Sequence, residues 1–530
     1  MRAVSTCCLV ASAVAISSVP GTLHRLSAEH SRAVSWTRTS CGSPNAKPQA
    51  DIITQWGSQV TPDNVLQEYP RPQMTRDAAS TYTNLNGLWE FALAKENDPI
   101  PFGQTLAQTI LVPFPLEACL SGAFTWPTYS KYMFYRLLFD APSAPAGSDF
   151  LIHFGAVDWQ ASVYLNGALL GNHSGGYDGF TFRASLLAKS NELIVSVFDP
   201  SDEGFQVEGK QRISAISKPG GDTYTPSSGI WQTVWVEAVP AALHVSSLKV
   251  RGDTTSVFLT VNTYPDGSPG LVTVAVSLGG VPVTRASGAA GTELVIPVPN
   301  PSLWHPDTPT LYDLEISLVE PSTGNADTVG SYVGLREIGL LPFDTPAIPP
   351  SGPRAGHDNS GGDMPNQPSV LPSADFNLCW AKCNSTPGCA AWSYGVPTSV
   401  DASCNESPLC WLKGSVESWS TDPCRIAGDM GQPAGSALRP SINGKFTFLA
   451  GWLDQSWWPD GEYTAPSDAA LMFDLQAVKD VGMNSVRLHQ KVCVWRKGAE
   501  HGCAGAYAVG SACTHPPPPP PSPVRTTQEF

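Results

Sequence analysis

The chain has 530 residues, a formal net charge of −15 and a sequence pI near 5.1, and this length is enough for several domains. The acidic balance argues against a nucleic-acid-binding protein, because such proteins normally present a basic face. Proline and glycine are both frequent, with 49 and 47 residues, and this composition favours a turn-rich, mainly β structure.

Residues 1–20 are predicted to be a secretory signal peptide. An apolar run from Cys8 to Ile16 follows Arg2, and small residues precede Pro20, as in a cleaved leader. A disordered leader and an organelle transit segment are the alternatives. Residues 21–64 are predicted to be a disordered leader. No later stretch is apolar enough to span a bilayer, so we expect a protein of the secretory pathway or extracellular space, without a membrane span.

Residues 65–240 predict a β-sandwich of jelly-roll type. The residue pair Asn166-Gly167 is a two-residue hairpin signal between two of its strands. Residues 241–345 again alternate in short strands, as in an immunoglobulin-like β-sandwich. Residues 346–372 are rich in proline, glycine and aspartate and predict a linker. Short strands are expected at residues 151–154, 161–165, 192–198, 231–236, 256–261, 272–276 and 312–318.

A small cysteine-rich module is predicted at residues 373–430. An even number of cysteines in a short segment favours disulfide bonds in an oxidising compartment, although sequence cannot choose the pairing. A zinc site is the alternative, but no second matched pair of ligands follows, and we expect no metal. Glycosylation sequons at Asn172, Asn384 and Asn405 agree with secretion. The six clustered cysteines are Cys379, Cys383, Cys389, Cys404, Cys410 and Cys424.

Residues 441–492 predict the first βαβ unit of an incomplete (β/α)₈ barrel. Residues 446–450 and 484–489 have the composition of strands, and Ser467 and Gly482 mark the start and end of a helix between them. Residues 493–530 are predicted to be a disordered, proline-rich tail. A frame error or alternative exon end in place of the true continuation is a second interpretation, and a proline-rich ligand segment is a third.

The order of these domains, together with several motifs, resembles glycoside hydrolase family 2, the β-galactosidase, β-glucuronidase and β-mannosidase family. The resemblance covers residues 65–345 and 441–492. It implies hydrolysis of O-glycosyl bonds in carbohydrate metabolism by a retaining mechanism, with a carbohydrate partner and no cofactor. The motifs that carry it are residues 84–91 (NLNGLWEF), 154–159 (FGAVDW), 163–167 (VYLNG), 175–178 (GGYD), 228–232 (SGIWQ) and 454–461 (DQSWWPDG).

The resemblance also implies two glutamates late in the barrel, one as acid/base and one as nucleophile. Neither has a match in this chain, so we expect the chain as written to be inactive. The dipeptide Asn191-Glu192 lies in a predicted sandwich strand and Asn405-Glu406 in the cysteine-rich module. Neither is assigned to catalysis.

Supporting or substrate-binding roles are implied for Asp454, Arg487, His489, Trp457 and Trp458. Arg487 resembles the family's arginine at the end of the second barrel strand, which would keep the nucleophile ionised. His489 resembles a nearby substrate-side histidine, and Asp454 would bond a sugar hydroxyl. A structural role at the barrel top is the alternative for all three. The tryptophans either form a stacking platform for a sugar ring or pack against the jelly roll.

Asp158, Asn166 and Asp178 belong to sandwich motifs of the same resemblance. A role as sugar contacts is the less favoured interpretation. In the structural interpretation, Asn166 supplies a turn and the two aspartates brace loops.

The cysteine-rich module resembles a PAN/apple module through residues 379–383 (CWAKC), 387–394 (PGCAAWSY) and 410–413 (CWLK). Such modules bind proteins or carbohydrates, and a disulfide-stapled spacer without a ligand is the alternative. A secreted, non-catalytic carbohydrate-binding or adhesion protein is therefore the second functional hypothesis. A lone βαβ unit argues against it, because uncovered parallel strands favour aggregation.

Overall fold

The computed structural model describes residues 52–489 apart from 77–80, 124–130, 218–220, 346–349, 351, 360–361, 405–406, 432–434. The predicted signal peptide, most of the predicted leader, the proline-rich tail and Asn405 lie outside the described residues. The chain divides into two compact units, Met1–Glu337 with Leu449–Phe530, and Ile338–Phe448. Within the described ranges, no helix is long and apolar enough to cross a membrane.

The first unit contains a jelly-roll β-sandwich, as predicted. A four-stranded sheet, in the order β1-β12-β5-β9, faces a six-stranded sheet, in the order β3-β2-β4-β10-β7-β8, and β11 pairs with β6. The helical segments are two 3₁₀ turns, Gly57–Gln59 and Cys119–Ser121, and α1 (Ser214–Ser217). The strands are β1 (Tyr82–Asn84), β2 (Gly87–Ala94), β3 (Gln108–Val112), β4 (Tyr132–Phe139), β5 (Ser148–Phe154), β6 (Val157–Asp158), β7 (Gln160–Leu165), β8 (Ala168–Ser174), β9 (Phe180–Ala184), β10 (Asn191–Phe198), β11 (Gly229–Ile230) and β12 (Val234–Pro240).

Alternate side chains of both sheets fill one core. Phe154 and Val236 come from the four-stranded sheet, and Trp89, Tyr135 and Val195 from the six-stranded sheet, and all five are buried. Burying a large apolar side chain stabilises a fold by roughly 1.5–3 kcal/mol. This shared core holds the two sheets face to face.

The Asn166-Gly167 turn joins β7 and β8, as the sequence predicted. Both residues have positive φ, 51° and 83°, which a type I′ hairpin turn requires. Asn166 Oδ1 accepts a hydrogen bond from Glu192 N at 2.9 Å, and its Nδ2 donates to Asn191 Oδ1 at 3.0 Å. Asn166 therefore has a structural role, and these bonds also tie the Asn191-Glu192 dipeptide to the sandwich.

The second sandwich of this unit is immunoglobulin-like, with antiparallel strand pairs. One sheet has the order β13-β14-β17 and the other β16-β15-β18-β19. Its core is formed by inward-facing side chains such as Val257, Leu259, Val274 and Ile316. The strands are β13 (His244–Gly252), β14 (Ser256–Tyr264), β15 (Leu271–Leu278), β16 (Val281–Ala289), β17 (Leu294–Pro297), β18 (Tyr312–Val319) and β19 (Ala326–Val333).

A buried ion network joins the two sandwiches. Arg76 donates from Nη1 to Glu237 Oε2 and from Nη2 to Asp327 Oδ2, both at 3.0 Å. Glu237 Oε2 also accepts from Arg71 Nη2 at 2.8 Å and lies 3.2 Å from His153 Nε2. The side chain of Glu237 is 0% exposed and that of Arg76 is 2% exposed. Because buried charges are tolerated only when they are paired, this network fixes β12 against β19.

The second unit holds the cysteine-rich module. A five-stranded sheet, in the order β21-β25-β23-β24-β22, forms its body, and a smaller sheet has the order β20-β26-β27. The elements are β20 (Ile338–Thr345), β21 (Arg354–Asn359), β22 (Ser369–Val370), α2 (Asn377–Ser385), β23 (Ala391–Gly395), β24 (Leu409–Lys413), β25 (Trp419–Asp429), β26 (Gly435–Ile442) and β27 (Lys445–Phe446).

Two of these strands correct the predicted linker at residues 346–372. β21 pairs with β25 and β22 pairs with β24, so the module starts before residue 373. The sequence did not predict these strands because they are short and polar. They are held by backbone hydrogen bonds to strands that lie far along the chain. Composition alone does not show such pairing.

The six clustered cysteines form three disulfides, as predicted over the zinc alternative. The pairs are Cys379–Cys410, Cys383–Cys389 and Cys404–Cys424. The first of them ties α2 to β24, across a core that contains the buried rings of Trp392 and Tyr394. A module with so small a core depends on such cross-links for its stability.

Removing the Cys379–Cys410 bond should destabilise the module more than removing Cys383–Cys389. The two bonds close loops with sequence separations of 31 and 6 residues. Loop-closure entropy then predicts losses of about 4 and about 2 kcal/mol, respectively. Chemical unfolding of the two Cys→Ser double variants, followed by tryptophan fluorescence, measures both. Equal midpoints for the two variants would contradict the expectation.

The chain returns to the first unit with β28 (Gly451–Asp454), α3 (Asp468–Asp480) and β29 (Ser485–Leu488). β28 and β29 are parallel, so the predicted strand–helix–strand unit is present. The predicted strand at residues 446–450 is wrong in position. Phe446 pairs antiparallel with β26, and Phe448 and Leu449 are 72% and 53% exposed. The parallel strand starts only at Gly451.

Candidate functional site

The candidate site lies at the carboxyl ends of β28 and β29. The two strands run side by side with Leu453 opposite Arg487 and Asp454 opposite Leu488. The backbone N–H of His489 donates to the carbonyl of Asp454 at 2.8 Å. The structure therefore brings Asp454, Arg487 and His489 to one edge, the end at which parallel barrels build their sites.

Helix α3 makes this geometry possible because it carries the chain back from one strand to the next. Ser467 caps it: the backbone of Ser467 is extended and its Oγ accepts from Ala470 N at 3.3 Å. Gly482, with φ of 83°, ends the turn after the helix. Asn484 Oδ1 then accepts from Ala450 N at 3.0 Å, and this bond sets β29 beside β28.

Both carboxylate oxygens of Asp454 are engaged within its own turn. Oδ1 accepts from Ser456 N at 2.7 Å and Oδ2 from Ser456 Oγ at 3.1 Å. These bonds hold Ser456 at a φ of 52°, in the left-handed region that a non-glycine residue rarely adopts. Burial, and then the charge of Asp454, raise the pKa of Asp474 on α3. Asp454 thus shapes the loop that follows the strand.

Arg487 and His489 are the polar groups that the strand end presents. Arg487 is exposed at the end of β29. His489 Nδ1 is buried and has no hydrogen-bond partner among the described residues. A buried ring nitrogen without a partner is costly, so this atom is a candidate contact for a bound hydroxyl or water.

Trp457 is not a free stacking platform. Its ring lies 4.4 Å from that of Tyr224, nearly parallel at 19°, and 4.2 Å from that of Tyr463. Its Nε1 donates to the carbonyl of Thr225 at 3.3 Å. Trp457 packs against the jelly roll, which was one of the two predicted alternatives.

Trp458 closes a tight turn with Glu462. Trp458 N donates to Glu462 O at 2.8 Å, and Glu462 N donates to Trp458 O at 3.0 Å. The turn leads into Tyr463, whose hydroxyl lies 2.9 Å from that of Tyr177 in the sandwich. Thr464 Oγ1 donates to Trp231 O at 2.6 Å. The loop after β28 is therefore seated on the jelly roll by hydrogen bonds as well as by rings.

A cluster of buried carboxyl groups lies under this loop, and we call it the junction cluster: Glu117, Asp158, Asp199 and Glu462. All four are buried. Asp158 Oδ2 accepts from Gln211 Nε2 at 2.8 Å, and Glu117 Oε2 accepts from Ser228 N at 2.8 Å. Asp158 also fills the space beside Gly176, where a Cβ would lie 2.2 Å from Asp158 Oδ1. These contacts brace loops, as predicted for Asp158.

Burial raises the pKa of each group in the junction cluster. The pKa of Glu117 rises to about 8, with hydrogen bonds from Ser228 opposing the effect of burial. Burial, and then the charge of Asp199, raise the pKa of Asp158. Burial, and then the charge of Glu117, raise the pKa of Glu462. Burial likewise raises the pKa of Asp199. A carboxyl group without a cationic partner is more stable neutral inside a protein.

Residues 52–60 cross the same loop and correct the predicted disordered leader, which extended to residue 64. Thr54 donates twice to Asp460 Oδ2, from its backbone N at 2.8 Å and from Oγ1 at 2.7 Å. The ring of Trp56 lies 5.1 Å from that of Phe473 on α3. The sequence of this polar segment does not predict these contacts, because they join residues about four hundred positions apart.

Sequence reasoning also missed Gln211, Tyr177 and Glu462. Gln211 links Asp158 to the loop before β11, since its Oε1 accepts from Ser227 N at 2.6 Å. One signal was available for Glu462: it stands in the run Trp457–Tyr463, where aromatic residues surround two acidic ones. Acidic residues within an aromatic run are candidates for burial against another domain.

Comparison with known proteins places two segments in families. The family model described as "Glycosyl hydrolases family 2" matches residues 244–336, which hold β13 to β19. The model described as "PAN domain" matches residues 357–413, which hold β22 to β24. Both matches agree with the resemblances found in the sequence.

Relatives and solved structures agree with these matches. A β-galactosidase of Thermoanaerobacter pseudethanolicus is 23% identical over 44% of this chain and 33% of its own length. A β-galactosidase of Bacteroides ovatus is 28% identical over 39% of this chain and 25% of its own length. The chain thus spans a third or less of these relatives. The fold is similar to that of β-glucuronidase from Ruminococcus gnavus, with a TM-score of 0.51, 15% identity and coverage of 80% of this chain and 56% of that one.

One conclusion follows from the two sandwiches, from the parallel strand pair that comes after them in the chain, and from these matches. The chain is similar to glycoside hydrolase family 2 proteins, and one of its segments matches the PAN domain.

Proposed function

We propose that this chain takes part in the hydrolysis of a β-linked glycoside within a protein that also carries the two catalytic carboxyl groups, by the retaining mechanism. The observation that carries the proposal is the edge formed by Asp454, Arg487 and His489, at the carboxyl ends of two parallel strands that follow two sandwiches. Relatives named as β-galactosidases support the β-glycoside class.

In this proposal the three strand-end residues have different tasks. Arg487, exposed at the end of β29, would hold a neighbouring carboxylate ionised through charge-assisted hydrogen bonds. His489, whose Nδ1 is buried without a hydrogen-bond partner among the described residues, would bond a sugar hydroxyl. Asp454 would act through the loop, because its two oxygens are occupied by Ser456.

We further propose that the 530-residue chain has no hydrolase activity of its own. A retaining glycosidase needs an acid/base and a nucleophile about 5–5.5 Å apart, and the sequence offers no match for either. Purified protein incubated with nitrophenyl β-galactoside, β-glucuronide, β-mannoside and β-glucoside is expected to release no nitrophenol above a boiled control. Reproducible release from any of the four would contradict this expectation.

A separate experiment tests the parent activity. If a transcript continues the barrel in frame after residue 492, the proposal predicts an Asn-Glu pair after one of the added strands. Expression of that form should give nitrophenol release that is lost in its Glu→Gln variant. An in-frame barrel continuation without an Asn-Glu pair after any strand would contradict the proposal.

The alternative function is a secreted, non-catalytic carbohydrate-binding or adhesion protein, which the PAN match favours. It predicts saturable binding of the 530-residue chain to immobilised glycans, retained in a variant that lacks residues 441–530. Absence of binding to every glycan of an array at high protein concentration would contradict this alternative function. Binding that needs residues 441–489 would instead favour the hydrolase site.

A further inference from the structure

The six-stranded sheet of the jelly roll has one unprotected edge. β8 (Ala168–Ser174) is its last strand and, among the described residues, pairs only with β7. Its sequence, ALLGNHS, contains no lysine, arginine, aspartate, glutamate or proline, and Leu169 is 52% exposed. Edge strands usually carry charges, prolines or bulges that prevent pairing with another chain. β8 is seven residues long and has none of these charges or prolines. Its register with β7 shifts at Leu170, as in a bulge, but Gly171 to Ser174 pair with β7 in regular register, so this run keeps a regular outer edge.

The opposite edge of the same sheet is protected. β3 (Gln108–Val112) is five residues long, and its last three residues are fully buried. Pro113 follows it directly, and proline cannot donate to a further strand. The two edges therefore differ, since the end of β3 is buried and followed by proline whereas β8 has no charge or proline.

Asn172 lies in the middle of the unprotected edge with its side chain turned outward. Along β8, His173 is buried whereas Asn172 and Ser174 are exposed, so these two face away from the core. Asn172 stands opposite Ser162 of β7, and neither residue is charged. No described residue forms a hydrogen bond with the side-chain amide of Asn172. The amide and the hydroxyl of the Asn172-His173-Ser174 sequon are thus both accessible.

We propose that Asn172 carries an N-linked glycan and that this glycan covers the β8 edge against pairing with a second chain. The donor is a polyprenyl-pyrophosphate oligosaccharide of the secretory pathway. A bond forms between Asn172 Nδ2 and C1 of the first sugar, and the C1–O bond to the pyrophosphate breaks. The amide proton passes to a base, and the lipid pyrophosphate leaves. The proposal depends on secretion and is independent of the proposed hydrolase function.

Asn384 provides an internal comparison. It is also exposed and begins a sequon, but it lies near the end of helix α2 (Asn377–Ser385), where no strand edge needs cover. A glycan at Asn384 would report passage through the secretory pathway without affecting association. The edge-covering role is specific to Asn172.

The test uses the full chain secreted from eukaryotic cells. Enzymatic deglycosylation in heavy-oxygen water converts each glycosylated asparagine into a mass-tagged aspartate, so peptide mass spectrometry reads the sequons at Asn172 and Asn384 separately from the third sequon at Asn405. Wild type and Ser174→Thr, which keeps the sequon, are expected to be tagged at Asn172 and to elute as monomers. Ser174→Ala is expected to lose one glycan mass and to form dimers or larger species in size-exclusion chromatography with light scattering.

Adding Leu169→Lys to Ser174→Ala should restore the monomer, because a charge on the edge replaces the glycan. Three outcomes would overturn the proposal. Asn172 could be untagged in secreted protein whose Asn384 is tagged. Ser174→Ala could remain as monomeric as Ser174→Thr. The chain could stay inside the cell with both sequons untagged, which removes the secretory route itself.

Discussion

Replacing Arg76 with methionine is expected to lower the free energy of unfolding of the unit that holds both sandwiches by about 3–5 kcal/mol. Arg76 is the cation shared by Glu237 and Asp327. The change leaves these two acids buried without their common partner, and that is far more costly than the loss of the attraction itself. It also removes the hydrogen bond from Arg76 Nη2 to the carbonyl of Val245 at 2.6 Å.

The matched control is Arg251→Met. Arg251 pairs with Glu293 at 3.0 Å, but their side chains are 60% and 49% exposed. An exposed pair of this kind contributes about 0–1 kcal/mol. Urea unfolding followed by tryptophan fluorescence compares the two variants. Similar midpoints for Arg76→Met and Arg251→Met would show that the buried network does not hold the sandwiches together.

The same network should make the protein sensitive to acid. Neighbouring Arg71, His153 and Arg76 hold the pKa of Glu237 well below its usual value, despite the opposing effect of burial. A carboxyl group whose pKa is lower in the folded state contributes stability above its unfolded pKa, and this contribution disappears as the pH falls through the folded pKa. Glu237→Gln should therefore lower the free energy of unfolding at neutral pH. It should also make that free energy depend less on pH in the acid range.

Local patterns predicted the strands of both sandwiches because each strand alternates inward and outward side chains. The Asn166-Gly167 turn and the Ser467 cap were also predictable from the sequence, since each depends on interactions between residues a few positions apart. The Arg76 network was not predictable in this way. Arg76 lies 161 positions from Glu237 and 251 from Asp327, and charged residues carry no period that reveals a partner so distant.

The candidate site was predictable in part for the same reason. Asp454, Arg487 and His489 could be placed at one edge because parallel strands align their carboxyl ends. Trp457 could not be assigned, because its partner Tyr224 belongs to a sandwich loop 233 positions earlier in sequence, and only the fold brings the two rings within 4.4 Å. The first strand of the predicted strand–helix–strand unit was misplaced because its apolar run included Phe446, whose backbone pairs with β26 instead.

The junction cluster should make the protein lose stability as the pH rises through neutrality. Burial raises the pKa of Glu117 from its ordinary value of 4.5 to about 8 in the folded protein. Between these values the folded state retains a proton that the unfolded state has released. The contribution of Glu117 to the free energy of unfolding is therefore complete below about pH 4.5. It falls by about 1.4 kcal/mol per pH unit as the pH rises toward 8.

The other members of the cluster act in the same direction, since burial also raises the pKa values of Asp158, Asp199 and Glu462. Ionisation would place these negative charges beneath the loop that carries Tyr463, where they repel one another. Burial raises the pKa of Asp199 despite opposing hydrogen bonds from Ser228 and Ser201 and the opposing charge of Lys131, which also pairs with the exposed Glu203. Loosening of this loop is the expected first step of alkaline unfolding.

Glu117→Gln isolates the effect. The amide keeps the size of the side chain and still accepts from Ser228 N, but it does not titrate. The variant is expected to show a shallower decline of unfolding free energy from pH 5 to pH 8, by about 1.4 kcal/mol per pH unit. Glu293→Gln, on the exposed surface, should keep the wild-type slope. Denaturant unfolding at a series of pH values measures all three proteins, and parallel slopes for wild type and Glu117→Gln would mean that Glu117 is not protonated in the folded state.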